Sequence, residues 1–293
     1  MGKTTDRRTI AQCVPSLAVT EGAGVTVHRS IGTPALHHLD PFLMLDYFNS
    51  DRPDEYIAGF PEHPHRGFNT FTYMLDGCMQ HGDSMGNTGN LGPGDAQWMK
   101  AGSGVIHSEM PRQEDGLLQG FQLWVNLPAV EKMSPPTYQE VAAEDIPEVV
   151  REGVRVRVLL GEYADQQGPV QDAHTEVVYL DVTLSPGVSF DYDGIAEGAT
   201  VFVYLFEGAA AVAGEHLAQH QLAVLAEGTV VNVTAGGSAA RFLLVAGQPI
   251  GEPIVQQGPF VMNTHGEIKQ AMSDYHHGRL VQERRITPSE DQS

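Results

Sequence analysis

The chain has 293 residues, 41% hydrophobic and 18% charged, with 32 glycines and 18 prolines, a turn-rich globular make-up that excludes a disordered or coiled-coil protein. Seventeen basic against 37 acidic side chains leave a formal charge of −20, which argues against direct nucleic-acid binding and against docking on an anionic membrane. Two cysteines, Cys13 and Cys78, cannot make a disulfide framework and read as reduced thiols of a cytoplasmic protein.

No apolar run is long enough for a membrane helix, and no apolar stretch follows the charged N-terminus as a secretory signal requires. The first segment that carries chemistry is FPEHPHRGFNT, residues 60–70. Read as a strand, it points His63 and His65 to one face, because residues i and i+2 share a side. The chain has 13 histidines, so this pair alone decides little. If the strand runs on, Asn69 lies on the same face and its amide points to the same place. FNTFTYML (68–75) continues as a β-branched and aromatic run, in which Phe68 and Met74 read as core. GPGDAQWM (92–99) is a tight turn feeding a strand, and AGSGVIHSEMP (101–111) follows. There His107 and Glu109 repeat the i, i+2 spacing.

FQLWVNL (121–127) alternates Phe121, Leu123, Val125 and Leu127 with Gln122, Trp124 and Asn126. One face must meet a core; the other either lines a cavity or faces solvent. Residues 129–153 hold prolines and acids without a sustained period and suit a crossing between two domains. Strand-like runs resume at VRVRVLLG (154–161), EVVYLDVTL (176–184), TVFVYLF (200–206) and ARFLLVAG (240–247). The expected architecture is therefore all-β, with a first domain at 1–128, a crossing segment at 129–153 and a second domain at 154–293. TFTYMLDG (70–77) and VFVYLFEG (201–208) echo each other, as a duplication would leave them. Counting back equally from Asp76 and Glu207, the positions of His63 and His65 hold Gly194 and Ala196 in the second half. Near the end, Thr264 and Glu267 have capping-box spacing, and Ile268, Met272 and Tyr275 fall on one face of a short helix. The tail ERRITPSEDQS reads as polar and frayed.

Two strands that each offer two ligand-type side chains on one face can converge on one point. Three imidazoles and one carboxylate suit a borderline divalent ion such as Fe(II), Ni, Co, Mn, Cu or Zn. The bland alternative, four independently satisfied polar residues, fits either pair alone better than it fits both. Arg66 and Lys100 either hold an acidic phenol or pair on the surface. Cys78 is a redox thiol or, more simply, a small buried residue. His37, His38, His276 and His277 have no partners at ligand spacing and read as structural or exposed.

FPEHPHRGF, GNTGNLGPGDAQWMKAGSGVIHSEMP, FQLWVNLP and GQPIGEPIVQQGPFVMNT resemble the pirin family of bicupins over nearly the whole length. The resemblance implies two cupin β-barrels in tandem with one metal, usually iron as Fe(II), in the first. The matching ligands here are His63, His65, His107 and Glu109, and the second barrel has lost its own. It implies a quercetin 2,3-dioxygenase-like activity on a polyphenol substrate and O₂, with loss of carbon monoxide. Glu109 would take the hydroxyl proton as general base, and Asn69, Gln122 and Trp124 would lie in the substrate pocket. The family commonly has Glu where Asn69 stands, which puts the level of activity in question rather than metal binding. The second reading, by analogy with the animal member, is a metal- and redox-responsive coregulator acting through a protein partner, to which the acidic charge would suit a basic partner.

Overall fold

A computed structural model describes residues 6–170, 172 and 174–281, so the ERRITPSEDQS tail lies outside the described residues. The chain opens with β1 (Ile10–Pro15), β2 (Leu17–Glu21), β3 (Val25–Ile31) and β4 (Phe42–Ser50). Next come β5 (Phe60–His65), β6 (Phe68–Asp76), β7 (Met79–Asp83), β8 (Thr88–Leu91), β9 (Ala96–Lys100), β10 (Val105–Pro111) and β11 (Leu118–Asn126). The crossing segment holds β12 (Thr137–Val141) and β13 (Glu148–Arg151). The second half contributes β14 (Val154–Leu160), the short pair β15 (Glu162–Tyr163) and β16 (Gln166–Gln167), β17 (Val178–Leu184), β18 (Ser189–Tyr192) and β19 (Thr200–Glu207). It continues with β20 (Ala210–Val212), β21 (Glu215–Leu217), β22 (Gln221–Leu225), β23 (Val231–Ala235) and β24 (Ala240–Gly247). β25 (Val255–Gln257), β26 (Phe260–Met262) and the helix α1 (His265–His276) finish it.

These strands build two cupin barrels of one design. In the first, a seven-stranded sheet ordered β12-β9-β6-β11-β4-β3-β2 packs against a four-stranded sheet ordered β5-β10-β7-β8. In the second, β1-β22-β19-β24-β17-β14-β13 packs against β18-β23-β20-β21. The large sheets lie back to back. Tyr47, Phe71, Phe121, Leu123 and Val125 of one meet Tyr179, Phe202, Tyr204, Leu243 and Val245 of the other in a single buried cluster. Each such side chain contributes roughly 1.5–3 kcal/mol on burial, which makes this seam the main tie between the barrels. The hydroxyl of Tyr73 crosses it to donate to Asp181 at 2.7 Å. The alternation in β11 is thereby explained: its apolar face fills the seam, and Gln122 and Trp124 face the interior of the first barrel.

The division at 128 and 154 is crossed at both ends of the chain. β1 pairs with β22 and so extends the second barrel's sheet, while β12 pairs with β9 of the first. The C-terminal segment returns to the first barrel. Phe260 bridges to Arg66, and Phe260, Met262, Ile268, Ala271 and Leu280 cluster with Ile106 of β10. The helix starts as its sequence spacing predicts. Thr264 Oγ1 accepts from the Glu267 amide, and the Glu267 carboxylate accepts from the Thr264 amide at 2.8 Å. Its buried face is Ile268 and Ala271, whereas Tyr275 is 38% exposed.

Candidate metal centre

β5 and β10 are antiparallel neighbours in the small sheet, with His107 directly opposite His63 and Val105 opposite His65. In such a ladder the paired side chains stand on one face, so the two sequence pairs are brought together by register. His63, His65 and His107 each offer a ring nitrogen within 4.8 Å of the others. The ring centroids are 4.7, 4.3 and 4.9 Å apart. His65 and His107 are buried, at 2% and 1% exposure, and His63 is half-buried.

Hydrogen bonding orients the rings. A carbonyl oxygen only accepts, so His63 carries its proton on Nδ1, which donates to Pro61 O at 2.8 Å. His65 Nδ1 likewise faces Pro259 O at 3.5 Å. Both rings therefore leave the Nε2 lone pair free, as the outer partners of metal-binding histidines do. Neither nitrogen of His107 has a hydrogen-bond partner, although both are buried, a costly state for a polar group unless it serves a ligand. Burial, and then the neighbouring imidazoles, hold His65 and His107 well below the ordinary imidazole value. They are neutral at pH 7, the form that binds metals. Three converging ring nitrogens, two of them on neutral imidazoles, fit a divalent transition ion.

Glu109 lies two residues beyond His107 on the same buried face, but its carboxylate is not part of the three-imidazole group. It accepts from Gln122 Nε2 at 2.9 and 3.1 Å and from Thr72 Oγ1 at 3.1 Å. A cavity of about 570 Å³ opens beside His63 and His65, with Gln122, Trp124, Met44, Phe60 and Pro259 in its wall. That volume falls within the roughly 300–1,000 Å³ usual for small-molecule sites. Trp124 packs on Phe68 at 4.2 Å and edge-on against His65 at 5.1 Å. Arg29 and Asp46 also line the cavity, joined by hydrogen bonds of 2.7 and 2.6 Å.

Asn69 is not in this wall. The Arg66–Gly67 turn separates β5 from β6, and the two strands belong to different sheets, so the i, i+4 relation to His65 is broken. Asn69 instead shares the outer side of β6 with Phe71 and Tyr73, and lines a separate hollow with Trp98 and Lys100. Lys100 sits 3.6 Å from Glu131. Arg66 is neither on the surface nor in the cavity: it is 1% exposed and bonded to Ser103, Asp274 and Leu280. Cys78 is half-buried. His37 and His38 touch each other, with His38 near Gln256, and His276 and His277 are exposed.

One residue escaped the sequence reading. His81 on β7 stands opposite Glu109, is fully buried and packs 5.4 Å from His107. Its Nε2 donates to Asp83 at 3.3 Å and its Nδ1 accepts from Gln97 at 3.1 Å. Both nitrogens are engaged, so His81 is a wall of the site rather than a free ligand. Its signal was the His-x-Asp spacing in MQHGD, which places both side chains on one face.

Residues 24–125 match the Pirin family and residues 179–281 the Pirin C-terminal cupin domain. A Pseudomonas aeruginosa protein provisionally named a quercetin 2,3-dioxygenase is 47% identical over 270 residues, covering 89% of this chain and 94% of its own. Human pirin is 44% identical over 274 residues, 92% of each. The crystal structure of a quercetin 2,3-dioxygenase from Acinetobacter baumannii superposes with a TM-score of 0.87 at 35% identity, covering 94% of this chain and 98% of that one.

Proposed function

The chain belongs to the pirin family, and from that premise we propose that it is a dioxygenase that cleaves a flavonol such as quercetin with one divalent transition metal, Fe(II) first among them. The observation that carries this reading is the convergence of His63, His65 and His107, two of which, His63 and His65, stand in the wall of a cavity that Trp124 and Phe60 also line. The resemblance to proteins named for that activity supports it. His63, His65 and His107 would hold the metal, and Glu109 would complete the set. When bound, the metal supplies Lewis acidity and redox chemistry toward O₂.

The rest of the work falls to the chain's own side chains. Trp124, Phe60 and Met44 give the cavity an apolar wall against which a planar aromatic substrate can lie. Glu109 takes the proton of the flavonol hydroxyl on a carboxylate oxygen, the role of a positioned general base. Gln122 holds that carboxylate in place through its two donated bonds. Gln122 stands in the cavity wall with Glu109 bonded behind it, so its amide would link the substrate oxygen to that carboxylate. Small-molecule substrate and O₂ are the partners this chemistry needs. Among the described residues no helix is long and apolar enough to cross a membrane.

The test is anaerobic loading of the protein with Fe, Ni, Co, Mn or Cu, followed by oxygen uptake with quercetin. One O₂ consumed and one carbon monoxide released per quercetin, with at least one of these metals, is the expected result. No uptake with any of them, in protein shown to hold metal, overturns the activity.

A further inference from the structure

We propose that Arg66 and Asp274 are positioning residues for the metal centre, their ion pair docking the C-terminal segment against the turn after His65 so that docking and metal binding stabilise each other. Arg66 follows His65 directly. Its guanidinium is buried and reaches three groups: Ser103 O at 2.6 Å, Asp274 Oδ2 at 2.8 Å and Leu280 O at 3.4 Å. Asp274 lies on α1 and is the only carboxylate paired with it among the described residues. A charge taken out of water needs such a partner, so the helix that carries Asp274 is drawn to this spot.

The backbone around the turn leaves no slack. Val261 N donates to Arg66 O at 3.1 Å, and Lys132 Nζ donates to both Gly67 O and Val261 O, at 2.8 and 3.1 Å. Gly67 has φ of +90°, and a Cβ there would lie 1.9 Å from Val261 O. The turn is thus pressed against β26 and cannot move without it. The same segment supplies Pro259 O, the group facing His65 Nδ1. That carbonyl keeps the proton on Nδ1 and the lone pair on Nε2, as outer partners of ligating histidines do. A residue pair outside the cavity therefore governs how one ligand is presented.

Coupling of this kind is reciprocal. If the docked segment raises metal affinity by some factor, bound metal must favour docking by the same factor. Loss of an outer partner of a metal ligand typically costs about 10–100-fold in affinity, and Asp274, one step further out, should sit near the lower end. A purely structural ion pair would change unfolding without changing metal affinity.

The test uses the full chain and Co(II) alone, titrated by calorimetry into the parent, Asp274→Asn and Asp274→Glu proteins. Amide hydrogen exchange of residues 265–276 is followed with and without Co(II). Asn keeps the size of the side chain but not its charge, and Glu keeps the charge. Co(II) affinity should fall about tenfold in Asp274→Asn and recover in Asp274→Glu, the drop being the outer-partner effect. In the parent, Co(II) should slow exchange across α1. Equal affinity in the parent and Asp274→Asn overturns the proposal. So does exchange in α1 of the parent that ignores bound Co(II), a readout that needs no variant to fold. A parent that binds no Co(II) overturns the metal centre itself, and the coupling with it.

Discussion

The two barrels are the same object filled in two ways. In the first, His107 faces His63 across the ladder, with Glu109 two residues on and facing His81. In the second, Val233 faces Phe190 and Val231 faces Tyr192, while Ala235 faces Ala210. Phe190, Tyr192, Val231 and Val233 fill the paired inward places of β18 and β23, in the sheet where β5 and β10 of the first barrel carry His63, His65 and His107. The second barrel closes these places into an apolar cluster with Val182, Val203 and Phe242. The first keeps them polar and opens a cavity beside them. One fold thus supports a site in one copy and a packed core in the other, and ladder positions alone decide which.

Breaking the comparison at its strongest point, His107→Ala should abolish high-affinity metal binding, a loss beyond the roughly 100-fold that outer partners cost, as read by calorimetry. Retained stoichiometric binding would remove the difference between the barrels. Glu109→Gln should keep the metal yet lose on the order of 10²–10⁴ in turnover of quercetin, the usual cost of a missing general base. Parental turnover in that variant would take the base away from Glu109.

In the matching sheet of the second barrel, packing takes the place of chemistry. Phe190→Ala should cost about 3–5 kcal/mol in unfolding free energy by leaving a cavity, with metal stoichiometry unaltered. His63→Ala in metal-free protein should cost far less, since His63 is half-buried beside open space. Equal denaturant midpoints for the two would contradict the contrast.

Acid should separate the barrels as well. His65 and His107 are depressed by burial and then by their neighbours, so between their folded values and the unfolded 6.5 the unfolded chain holds more protons. Stability of the metal-free protein is therefore full above about pH 6.5 and falls as pH drops below it, by up to about 1.4 kcal/mol per pH unit for each imidazole. A His65→Tyr, His107→Val double variant removes both depressed imidazoles and should flatten that slope in urea titrations at pH 5–7. The smallest effect belongs to Asn69→Ala, which should change Co(II) affinity by less than about twofold because Asn69 is no partner of a ligand. A larger change would return its side chain to the site.

How much of this could be read in the chain follows from the range of each signal. His63, His65, His107 and the face of α1 lie in short periodic runs, where spacing alone sets direction. Gln122 and Trp124 share that advantage, although only the back-to-back seam shows which face of β11 turns inward. Asn69 failed because a period of two holds only while the strand is unbroken, and Gly67 turns the chain between them. The count that put Gly194 and Ala196 opposite the histidines failed similarly. It assumed equal loops, whereas β18, the strand that pairs with β23, ends at Tyr192, before both. The exchange of chain ends was invisible, since pairing between Ile10–Pro15 and Gln221–Leu225 leaves no local pattern. Arg66 read as surface or substrate-binding because its partner is 208 residues away.

One metal per chain is expected, held between His63, His65 and His107 in the first barrel. Crystals of the protein loaded with Co(II), measured at the cobalt absorption edge, test it most directly. A single anomalous peak per chain is expected within bonding distance of Nε2 of His63 and His65 and of one nitrogen of His107. A peak inside the second barrel, or full occupancy at any other place with none among the three imidazoles, would contradict it.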